Sequence, residues 1–163
     1  MLEKAIELNP HDPDAWCSLG GAQKTLKQYG KAQDAYEKGL KTSPKSTYAL
    51  LNYLTMSVIN NKQLPDIQKQ TQTLIAAKEA CKKQIERQLN LPWCYFDLAQ
   101  LEFFTGLPFE DTLRSGVMQA TAQWQAKTAK DTYQLIQEAG ALPAETRRAV
   151  ESISQAIEDR EWK

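Results

Sequence analysis

The sequence predicts an all-α fold in which helix pairs stack into a right-handed superhelix. Seven glycines and seven prolines punctuate the 163 residues. Between them apolar residues return at three- and four-residue spacing, the period of one helix face. Two similar stretches, "ELNP" ending at Pro10 and "KTSP" ending at Pro44, stand 34 residues apart, a period that marks stacked repeats rather than isolated helices. The hydrophobic fraction of 42% suits a chain with a packed core.

The elements follow in order. Residues 1–10 read as the closing helix of a preceding repeat, with Leu2, Ala5 and Ile6 on its apolar stripe and Asn9 and Pro10 at its end. Residues 13–46 form the clearest unit. Trp16 and Leu19 share one face of a first helix, Gly20 admits a second helix close by, and Ala32 and Tyr36 supply the facing surface. Pro44 then stops the second helix. Residues 47–91 repeat the scheme with Leu50, Tyr53 and Leu54 on a first helix near 46–60. Ile67, Leu74, Ala77, Cys81, Ile85 and Leu89 follow on a stripe without an internal Gly or Pro, which predicts one continuous, overlong helix over 65–89. Residues 92–125 are a degenerate repeat in which Tyr95, Leu98 and Ala99 take the places of Trp16, Leu19 and Gly20, with a second helix within "PFEDTLRSGVMQATAQW". Residues 126–163 read as a degenerate capping pair, with Tyr133 and Ile136 on a helix ending near Gly140 and Ala149, Ile153, Ala156 and Ile157 on its partner. The whole of 1–163 is expected to be a single domain.

The order W-x-x-L-G, then A-x-x-x-Y, then P resembles the tetratricopeptide repeat family over residues 13–46, with partial matches on both sides. The resemblance implies a solenoid with degenerate C-terminal repeats, whose first helices line a concave groove. It also marks departures: Gln23 replaces an aromatic, Lys27 the glycine before the inter-helix turn, and Gly39 an alanine. Carried over position by position, it implies a partner-binding surface of Ser18 and Lys24 in the first unit, Tyr48, Asn52 and Thr55 in the second, and Trp93, Phe96, Asp97 and Gln100 in the third. Phe103 and Phe104 lie near the same face. Ser18 and Asn52 are equivalent, and an asparagine there has the amide needed to bond a peptide backbone bidentately. The basic carboxylate clamp of the family's chaperone-binding members is disfavoured, because Cys17 and Gly21 occupy its positions. The aromatics stay open to two readings, a groove for a partner helix or peptide and core packing. Helical spacing favours the second.

The function expected is non-catalytic protein binding, as an adaptor or scaffold, with a protein or peptide partner. The alternative is a regulatory or positioning module of a larger protein that carries an enzyme or sensor domain. Twenty basic and twenty acidic residues cancel, so no global field favours nucleic acid or an anionic membrane. No window approaches 18 apolar residues, and "MLEKAIELNP" has charges where a signal peptide needs none. A cytoplasmic protein is expected. Cys17, Cys81 and Cys94 lack C-x-x-C spacing, and His11 is the only histidine, so neither a metal nor a cofactor is expected. No phosphate loop, zinc-protease motif or nucleophile elbow occurs. An unpaired closing helix at 1–10 would expose its stripe. The expectation is that the chain belongs to a longer array, or that another copy covers the stripe in a homodimer.

Overall fold

A computed structural model of the chain describes residues 1–162. Among them all regular structure is helical. Where the sequence predicts one domain, contacts gather in two compact units, Met1–Pro65 and Asp66–Lys163.

The first unit contains α1 (Leu2–Leu8), α2 (Pro13–Thr25), α3 (Tyr29–Thr42) and α4 (Thr47–Asn61). Asp12 starts α2, its Oδ1 accepting from the backbone N–H groups of Asp14 at 2.9 Å and Ala15 at 3.4 Å, with Pro13 as the first helical residue. α2 buries Ala15, Cys17 and Gly20, and α3 buries Ala32, Ala35, Tyr36 and Gly39. These two helices pack together, and their glycines explain how closely. A Cβ on Gly20 would lie 2.9 Å from the Tyr36 ring, so the missing side chain is what allows Tyr36 to bury. A Cβ on Gly39 would lie 3.0 Å from Cys17 Sγ. The thiol thus crowds the space that an alanine methyl would take at that position.

Trp16, which the sequence places on the same helix face as Leu19, is only half-buried. Its Nε1–H donates to the Pro10 carbonyl at 2.9 Å, and the Lys38 ammonium lies 4.6 Å from its ring centroid. The indole thus ties the α1–α2 turn to α2 and α3 instead of filling their seam. α1 packs on α2 and buries Ile6 while leaving Ala5 exposed. α4 starts at Ser46, whose Oγ accepts from Ala49 N–H at 3.1 Å. Leu50, Leu54, Met56 and Val58 of α4 are fully buried. Asn60 reaches back to α3, donating to the Tyr29 carbonyl at 3.2 Å and to Gln33 Oε1 at 2.6 Å.

The second unit contains α5 (Thr71–Glu86), α6 (Trp93–Phe104), α7 (Glu110–Gln119), α8 (Gln123–Glu138) and α9 (Ala144–Asp159). α5 passes unbroken through Lys78, but it is shorter at both ends than the 65–89 stripe predicts. A 3-10 turn, Gln68–Gln70, precedes it, started by Asp66 Oδ1 accepting from Gln68 N–H at 3.0 Å. Gln88 then turns left-handed with φ +54°. Local turn chemistry at each end competes with the apolar period and wins. Lys78 itself donates to Thr105 Oγ1 at 2.6 Å and so joins α5 to the end of α6.

The boundary expected near residue 125 also moves, because α8 already starts at Gln123. No Gly or Pro marks the turn. Gln125 Oε1 makes it instead, accepting from the N–H groups of Thr121 at 2.9 Å and Ala122 at 3.2 Å. On the other side of the turn, the Arg160 guanidinium donates to the carbonyls of Val117 and Ala120, satisfying groups that the end of α7 leaves open. The core of this unit is aromatic. Phe103 meets Phe109 at 5.5 Å and Tyr133 at 5.7 Å, and Phe109 stacks on Tyr133 at 5.3 Å. A groove of about 650 Å³ between α8 and α9 is lined by Lys130, Gln134, Glu138, Glu151 and Glu158, so that face meets water.

Candidate partner-binding surface

In the first unit α2 and α4 present the residues marked by the repeat spacing. A groove of about 390 Å³ opens beside Asp14, Ser18, Ser43 and Tyr48, with Cys17 in its wall. Tyr48 is 56% exposed, and its ring meets the buried Tyr36 edge-on at 6.1 Å. The fold therefore steadies the ring from below and leaves its outer face open. Burial pushes the Cys17 thiol up, aided by the nearby Asp14 carboxylate, so it lines the groove as a neutral, unreactive group. Further along the face, Lys24 Nζ donates to Asn52 Oδ1 at 3.4 Å, and Asn52 Nδ2 donates to the Tyr48 carbonyl one turn back at 3.0 Å.

Asn52 is thus engaged at both ends of its amide. A peptide backbone would have to displace Lys24 or the Tyr48 carbonyl to bind it bidentately. Thr55, read from the sequence as a surface contact, is 2% exposed and donates to the Leu51 carbonyl at 2.8 Å. Its hydroxyl is consumed inside its own helix.

In the second unit the two readings of the aromatics divide by residue. Phe96, Phe103 and Phe104 are buried. Phe96 lies so close to α7 that a Cβ on Gly116 would stand 2.6 Å from its ring. It belongs to the core and cannot receive a partner. Trp93, Asp97 and Gln100, at successive turns of α6, remain half-exposed. The Trp93 ring meets Phe96 at 5.9 Å and, on its other side, Trp124 at 5.8 Å with 45° between the planes. Trp124 is 62% exposed and was not among the residues the repeat spacing marks. The available signal was an indole in the otherwise polar stretch "TAQWQAK". Burial pushes the Asp97 carboxyl up to about 6. Cys81 and Cys94, its neighbours from α5 and α6, are raised by burial in turn.

Among the described residues no group of three or more His, Cys, Asp or Glu side chains is placed to hold a metal ion. No helix of the described residues is long and apolar enough to cross a membrane. His11 is exposed in the α1–α2 turn, its backbone N–H donating to Asn9 Oδ1 at 3.3 Å.

Comparison with known proteins bears on the first unit. No curated protein and no solved structure matches the chain. The family model described as tetratricopeptide repeat matches residues 1–34, taking in α1, α2 and the first part of α3. Through those residues, and with its helix pair closed by Gly20 and Tyr36, the chain is similar to the tetratricopeptide repeat family.

Proposed function

We propose that the chain is a non-catalytic adaptor or scaffold segment that holds an extended piece of a partner protein on the α2–α4 face. One observation carries the reading: the Asp14 and Ser18 side chains border an open groove and make no hydrogen bond among the described residues, while Tyr48 offers a steadied aromatic surface beside them. Polar groups so placed have donors and acceptors to spare for a peptide, and tyrosine gives large contact area at low entropic cost. The tetratricopeptide match over residues 1–34 supports a protein as the ligand. Three buried free thiols suit a reducing compartment such as the cytoplasm. On the α1 stripe through which a homodimer would form, Ile6 is buried, Leu2 half-buried and Ala5 exposed.

The test is affinity capture to identify a partner, followed by calorimetric titration of that partner with Tyr48→Ala and Ser18→Arg. Tenfold or greater weakening with a melting temperature changed by no more than about 2 °C is expected. Unchanged affinity for both variants would overturn the α2–α4 assignment.

A further inference from the structure

The second unit carries an arrangement that its packing does not account for. Trp93 and Asp97 stand at i and i+4 on α6, a spacing that places their side chains next to each other on one helix face. Trp124, in the first turn of α8, brings its ring to 5.8 Å from Trp93, with the two planes tilted at 45°. Trp124 is 62% exposed although it is one of the largest apolar side chains in the chain. Asp97 has neither a basic partner nor a hydrogen-bond donor among the described residues, and only its removal from water acts on its acidity. The charged or titratable neighbours that reach it are two thiols, Cys81 and Cys94, which carry no compensating positive charge.

A desolvated carboxylate costs folding free energy unless a cation meets it. An exposed indole pair attracts the same kind of group through the negative faces of its rings. Trp93 and Asp97 share one face of α6 one turn apart, and the two features select one chemistry. We propose that Trp93, Trp124 and Asp97 form a receiving site for a basic side chain, and that the partner of this surface is a protein segment presenting lysine or arginine. This rests on the reading of the chain as a protein-binding module and gives the chemistry of its ligand in the second unit. Gln100, about one turn beyond Asp97 on α6, is half-exposed and adds an amide to the same stretch of the helix.

Nuclear magnetic resonance of the full chain tests it. The chain has four tryptophans, hence four indole N–H signals to assign. The ligands are acetyl-Gly-Gly-X-Gly-Gly-amide peptides with X as lysine, arginine or norleucine. Saturating shifts confined to Trp93 and Trp124 are expected with lysine or arginine, at least fivefold tighter than with norleucine. Asp97→Asn should remove that preference, and Trp124→Ala, at an exposed position, should weaken binding without altering the fold. Equal shifts with norleucine, a preference that survives Asp97→Asn, or no shift with any peptide would each overturn the inference. None of these outcomes bears on Tyr48 and Ser18, whose variants test the α2–α4 surface separately.

Discussion

Lys27 occupies the turn between α2 and α3 with φ +58°, a left-handed conformation that strains a residue with a Cβ. The repeat pattern has glycine there, and the lysine is exposed, so its side chain contributes little packing. Lys27→Gly should therefore stabilise the protein by about 0.5–1 kcal/mol, read as a higher denaturant midpoint with unchanged slope. Asp97 shows a different cost. Its carboxyl, ordinarily at 3.8, is raised by burial to about 6 in the fold. Between those values the folded chain holds a proton that the unfolded chain has released, so stability falls as pH rises from about 4 to about 6 and stays at the lower level above. The loss is up to roughly 3 kcal/mol. Unfolding free energies measured across that range should show the fall in the native sequence and a smaller one in Asp97→Asn. The Cys81 and Cys94 thiols beside it stay protonated throughout and add nothing to the slope.

At the scale of elements, α6 and α7 meet through Phe96 and Gly116, with Tyr95 Cβ also 3.0 Å from where a Gly116 Cβ would lie. Neither the ring nor the backbone-near carbon yields easily in a packed seam. Gly116→Ala should destabilise by about 1–3 kcal/mol despite its better helix propensity, and chemical denaturation checks it. The same contact shows where the sequence was legible. Periodicity located the apolar stripe of α6, and the 34-residue spacing located the α2–α3 pair, because both follow from positions that recur. What no spacing could carry was which aromatic turns inward. Phe96 faces Gly116 of α7, whereas Trp93 meets Trp124 of α8, just past a turn made by Gln125. That turn was hidden for a related reason: a side-chain amide did the work usually marked by Gly or Pro. The ends of α5 were obscured similarly, by Asp66 and by the left-handed Gln88.

At the scale of the whole molecule, the two compact units are joined through a segment without regular structure. Lys62 ends α4 in a left-handed conformation with φ +55°, and Lys62, Gln63, Leu64 and Asp66 are exposed. Exposed, irregular backbone is where a protease can fit its substrate cleft around the chain. Brief trypsin treatment should cut first after Lys62, yielding two fragments that mass spectrometry assigns to the two units. First cleavage within α3 or α5, each of which carries lysines and lies inside a packed unit, would show that this partition does not hold in solution. The candidate surfaces divide the same way, Ser18, Lys24, Tyr48 and Asn52 in one unit and Trp93, Asp97, Gln100 and Trp124 in the other.

The contact between Cys17 and Gly39 ties the mutational histories of two positions together. Alanine at 39 would ordinarily gain about 1 kcal/mol over glycine in a helix, yet here its methyl meets the thiol sulfur. That gain should appear only after Cys17→Ala has vacated the space, so a double-mutant cycle should show positive epistasis between the two sites. The sulfur must give way by a few tenths of an ångström before residue 39 can carry a Cβ, so the two positions are coupled through van der Waals radii alone.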